Sequence, residues 1–130
     1  MRSLSTFVKL AGFYNLFLGL GIATPYVTGV LGIEICDYAL NLLIAVFLIF
    51  TAATQVIAAR DLKTFAPIVF WEGLLRWSAA AILIFYGFFG HLGSAAGLLG
   101  LGDFLIGSVF VLYLPKAVGV TPRKLMTGLV

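Results

Sequence analysis

Four long apolar runs, separated by short polar breaks, set the pattern of this chain. They cover Phe7 to Ile22, Tyr38 to Ala59, Phe65 to Phe85 and about Ala95 to Leu114. Pro25 closes the first, Arg60 and Asp61 end the second, and Pro115 ends the fourth. Each holds about 16 to 22 residues, against the ~20 that a helix needs to cross a ~30 Å hydrocarbon core. Within hydrocarbon the backbone has no water to bond, so each crossing must close its own hydrogen bonds as a helix. A closed barrel would need strands of about 9–11 residues with alternating polarity, and these runs are continuous. The pattern predicts an all-α, four-transmembrane-helix bundle forming one domain over residues 1–130, with Pro67 expected in the first turn of the third span, where a missing N–H does little harm.

Composition supports a lipid-solvated exterior. Of 130 residues, 62% are hydrophobic and 10% charged, whereas a soluble domain carries roughly 25% charged residues. Arg2 and Lys9 ahead of Leu10 to Ala23 resemble a signal sequence in outline, but the segment reads as the first span. The single cysteine, Cys36, excludes an internal disulfide and a Cys-rich metal site.

Charge placement predicts an orientation. Arg2, Lys9, Arg60, Lys63, Lys116, Arg123 and Lys124 all fall on one side of the alternating spans. The connections 23–37 and 86–94 hold no Lys or Arg, only Glu34, Asp37 and His91 among groups that can carry charge. The positive-inside rule then puts both termini in the cytoplasm, here of a bacterial inner membrane.

Three charges lie inside the spans: Glu72, Arg76 and Asp103. Charges at membrane depth are costly, so they usually face a bundle interior and pair. Glu72 and Arg76 are four apart and share a helix face. A helical rise of ~1.5 Å per residue puts Arg76 and Asp103 at nearly the same height, and Asn15 level with Glu72. The expected intramembrane cluster is Asn15, Glu72, Arg76 and Asp103, with Arg76 bridged to Asp103. Two carboxylates against one guanidinium leave an excess of one negative charge, which Glu72 is better placed than Asp103 to shed by taking a proton. Trp71 and Trp77 flank the pair; Trp77 could shield it or lie over the guanidinium.

Gly93, Gly97, Gly100, Gly102 and Gly107 make the last span a candidate helix-packing or partner face, since small residues let apolar helices approach closely. Catalytic and metal patterns are absent. His91 is the only histidine, no zinc or nucleotide motif occurs, and Ser78 and Ser108 have no histidine in their spans. No catalytic residue, metal site or cofactor is assigned, and nucleic-acid binding lacks support.

The pieces Tyr14-Asn15, Leu18-Gly19, Pro25, Leu31-Gly32, Ile57 to Asp61, Pro67 and Gly102-Asp103 resemble a family of small four-span bacterial integral membrane proteins. Size and buried polar residues are more distantly similar to DoxX-like four-helix proteins. Neither resemblance implies a reaction. Three functions remain open. The first is a non-catalytic structural or accessory subunit packing against a larger membrane complex. The second is a small oligomeric proton-coupled transporter using Glu72, Arg76 and Asp103. The third is a lipid- or quinone-binding protein or membrane enzyme. The partners implied are the bilayer, other membrane subunits or a second copy, and a bound lipid or quinone.

Overall fold

A computed structural model describes residues 2–33 and 37–128; Glu34 and Cys36 lie outside that set. Among the described residues the elements are α1 (Arg2–Ala23), α2 (Pro25–Val30), α3 (Tyr38–Ala58), α4 (Leu62–Phe88), α5 (Ser94–Ser108), a π-helical segment (Val109–Tyr113), α6 (Leu114–Val118) and α7 (Pro122–Thr127). Four helical stretches, α1, α3, α4 and the run Ser94–Val118, are long and apolar enough to cross a membrane. The protein is by that measure a small multi-pass membrane protein.

Local chemistry explains where the helices start. α1 begins at Arg2, five residues ahead of the apolar run, because Ser3, Ser5 and Thr6 need not leave the helix. Thr6 Oγ1 donates back to the Arg2 carbonyl at 3.0 Å and Ser5 Oγ to the Ala59 carbonyl. α3 is capped by Asp37, which accepts from the Ala39 N–H at 2.9 Å. Asp61 caps α4, accepting from the Thr64 hydroxyl at 2.6 Å. That cap starts α4 at Leu62, so Pro67 sits inside the helix, a turn deeper than the apolar run implies. Gly93 turns the chain into α5 with φ +96°, a conformation that costs a side-chain-bearing residue free energy.

The helices pack as two close pairs. Between α1 and α3, a Cβ on Gly12 would meet the Ala52 carbonyl at 3.1 Å, and one on Gly19 the Ala45 carbonyl at 3.1 Å. Both pairs are seven residues apart, the repeat of a left-handed helix seam. Between α4 and α5, a Cβ on Gly107 would come within 2.9 Å of the Gly73 carbonyl, and Gly87 lies directly against Gly97. The pairs join at one end of the bundle, where Leu4, Val8, Ala58, Leu62, Phe110, Leu114 and Leu125 form one apolar core. Phe7 and Phe110 meet edge to face there, with ring centroids 6.0 Å apart.

Pro115 shapes the last span. It has no N–H, so the ladder before it is loosened. The Leu114 N–H bonds the Val109 carbonyl, five residues back, which defines the π turn. Gly119, with φ +70°, stops α6, and Leu125 of α7 folds back fully buried.

Candidate functional site

Seven side chains from all four spans converge in the bundle interior. On α4, Arg76 is 4% exposed and Glu72 8% exposed. Arg76 Nη1 donates to Asp103 Oδ1 of α5 at 2.8 Å, a buried salt bridge. Arg76 Nη2 donates to Asn15 Oδ1 of α1 at 2.8 Å and reaches Gln55 Oε1 of α3 at 3.4 Å. Gln55 Nε2 in turn donates to Glu72 Oε2, and Thr54 Oγ1 contacts Glu72 Oε1 at 2.8 Å. Asn15 Nδ2 donates to Thr51 Oγ1 at 3.2 Å. Asn15, Glu72, Arg76 and Asp103 therefore share one network, and Gln55 joins its two halves. Glu72 and Arg76 are bridged by the amide of Gln55.

Sequence reasoning passed over Gln55, Thr51 and Thr54. Gln55 was read as lying near the inner end of its span, and uncharged groups carry no depth penalty large enough to stand out. A signal was present: Thr51 and Gln55 are four apart on one face of an otherwise apolar helix.

The tryptophans take other roles. Trp77 does not lie over the guanidinium. It stacks on Phe104 at 6.3 Å between centroids and donates to Ser108 Oγ at 3.2 Å. The ring beside the guanidinium is Phe110, 5.7 Å from Arg76 Cζ. Trp71 Nε1 donates to the Met126 carbonyl at 3.0 Å, tying α4 to α7. Arg76 Nε is buried without a partner; packing against the Phe110 ring face offers it a weak electrostatic substitute.

The glycines divide. Gly97 faces the Phe88 ring, Gly100 faces Leu83 and Ile84, and Gly107 faces Gly73, Trp77 and Arg76. All three lie against α4. Gly93 occupies the turn before α5, facing the Gly32 carbonyl. Around Gly102 the nearest atom to an added Cβ is the Tyr14 hydroxyl, 3.9 Å away.

The protons of this network do not all fit at once. Thr54 Oγ1 lies 2.8 Å from both the Thr51 carbonyl and Glu72 Oε1. A hydroxyl has one proton, so an ionised Glu72 must share it with the carbonyl. A proton on Glu72 Oε1 reverses that bond, and both acceptors are then served.

A partly open cleft of about 410 Å³ reaches this network between α3 and α4. Its floor includes Asn15, Glu72, Arg76 and Asp103, and its walls include Ile44, Phe47, Leu75 and Ala79. Phe47 is 64% and Leu75 55% exposed on the outer, lipid-facing side. A second hollow of about 580 Å³ continues past Trp71 and Pro67 to Met126, sharing Thr51, Glu72 and Leu75 with the first. The two make one groove along α3 and α4, with Glu72 near its middle. No family model, curated protein or solved structure matches the chain.

Proposed function

We propose that the protein binds a membrane-soluble amphipathic ligand, of the lipid or quinone kind, in the groove between α3 and α4. The observation that carries this is the cleft itself: apolar walls leading from the lipid-facing side to a floor of four polar side chains. Ligand sites are mostly apolar concavities with a few converging polar groups, and this one opens sideways rather than to water. A headgroup would compete for the hydrogen bonds of Glu72 while the tail lay along Phe47, Leu75 and Trp71. No step of bond chemistry is proposed, and affinity with DoxX-like proteins is part of the proposal. Mass spectrometry of protein extracted gently from its native membrane tests it. A stoichiometric amphiphile should co-purify and be depleted at least tenfold by Leu75→Trp, which narrows the groove. Equal recovery from both would sink it.

An accessory-subunit role is a second reading, favoured by α3. Within that helix only Ala45, Ala52, Gln55 and Ala58 are buried, leaving a broad apolar side for another membrane protein. A complex surviving mild detergent would support it. The collar of seven cations favours termini on the cytoplasmic side of a bacterial inner membrane. A transporter role would need a route past the Arg76–Asp103 pair, most simply between protomers.

A further inference from the structure

Glu72 is the one group in the groove whose charge no neighbour matches. Among the described residues the ion pair is Arg76 with Asp103, and the remaining bonds of Arg76 go to the neutral amides of Asn15 and Gln55. Glu72 receives only neutral donors, Gln55 and Thr54. Fully ionised, the three charges sum to −1. In hydrocarbon that excess is costly, and two things can cancel it: a proton or a cationic ligand.

The groove is shaped for the second. It borders Glu72 on both sides. Trp71, half exposed, lines the same wall, and its bond to the Met126 carbonyl holds the indole in place; an aromatic face beside a carboxylate attracts a cation. Approach from the Arg123 and Lys124 end meets like charge, whereas the sideways opening past Phe47 and Leu75 is apolar. A cation that enters there must carry its own apolar body.

Resting on the cleft reading above, we infer that Glu72 is the anchoring carboxylate for a lipophilic cation, such as a hydrophobic ammonium or phosphonium, which exchanges for a proton. In the uncharged form of the site, Glu72 Oε1 carries a proton and donates it to Thr54 Oγ1, whose own proton serves the Thr51 carbonyl. When the cation arrives, that proton leaves for bulk water and the Thr54 hydroxyl turns to the carboxylate. One positive charge enters and one leaves, so the charge of the site is unchanged. The other titratable or charged groups near Glu72 are Arg76 on α4, Asp103 on α5 and Tyr14 on α1. The first two stay paired. From α3 come only Thr51, Thr54 and Gln55, and from α7 only Met126, Thr127 and Gly128.

The test uses full-length protein in lipid nanodiscs, with tetraphenylphosphonium as a permanent cation and a decyl-quinone as a neutral amphiphile. Equilibrium dialysis measures binding, and a pH-indicator dye in weak buffer counts protons. The expected result is saturable phosphonium binding above the lipid background, about one proton released per cation, and at least tenfold weakening in Glu72→Gln. Leu75→Trp, which leaves the polar network intact, should weaken it similarly, so a folding defect in the Gln variant cannot decide the matter. Quinone binding that Leu75→Trp abolishes, without phosphonium binding, overturns the cation inference and leaves the cleft reading standing. Phosphonium binding with no proton release, or unchanged in Glu72→Gln, also overturns it. Binding of neither probe overturns both.

Discussion

At the residue scale, stability turns on Arg76. A guanidinium buried with one carboxylate and two amides is held by complementarity, and removing one partner strands the other. Asp103→Leu should therefore destabilise the protein by roughly 3–5 kcal/mol, because an uncompensated charge is left inside. Replacing both members, Arg76→Met with Asp103→Leu, should cost clearly less than the single change. Reversible unfolding in mixed micelles measures both, and a double variant as unstable as the single one contradicts this account. Gln55→Leu should also be costly, on the order of 1–3 kcal/mol, since Glu72 then loses a buried donor. Counting helical rise sets Arg76 and Asp103 level, because depth follows directly from sequence position. Gln55 as the connector could not be counted out that way: its role depends on which face of α3 turns to α4, and α3 is apolar almost all round.

At the element scale, the close pairs rest on glycine. Substituting Gly107 with Leu drives a side chain into the Gly73 carbonyl and the Trp77 ring, and overpacking of this kind typically costs about 1–3 kcal/mol. Gly102→Ala should be nearly neutral, since its surroundings are open. Thermal denaturation followed by circular dichroism in detergent separates the two, and equal losses would refute the assignment of Gly107 to the α4 contact. The glycine spacing in the last span marks a small-residue face but not its partner. The identity of that partner comes from Gly73 and Gly87, which are isolated glycines in α4 with no pattern of their own. Helix starts at Arg2 and Leu62 were similarly hidden, because polar first turns and Asp61 capping extend helices beyond their apolar runs.

At the scale of the whole molecule, four apolar helices were legible from composition and run length alone, since lipid solvation overrides finer propensities. The groove was not, because it arises where two tight pairs meet unevenly. Orientation can be tested directly. With Cys36 replaced by Ser, His91→Cys should react with a membrane-impermeant maleimide in intact spheroplasts, and Lys116→Cys only after lysis. The reverse pattern would invert the proposed topology.

The π turn before Pro115 has a consequence for chain length. It accommodates one residue more than a regular helix would over the same rise. Deleting a single residue within Val109–Tyr113 would relax that bulge into an ordinary helix and swing everything beyond it by about 100°. Leu125 would leave its socket, and the Trp71 indole would lose the carbonyl that fixes it. A variant one residue shorter should thus keep its four crossings yet release its C-terminal turn to proteases.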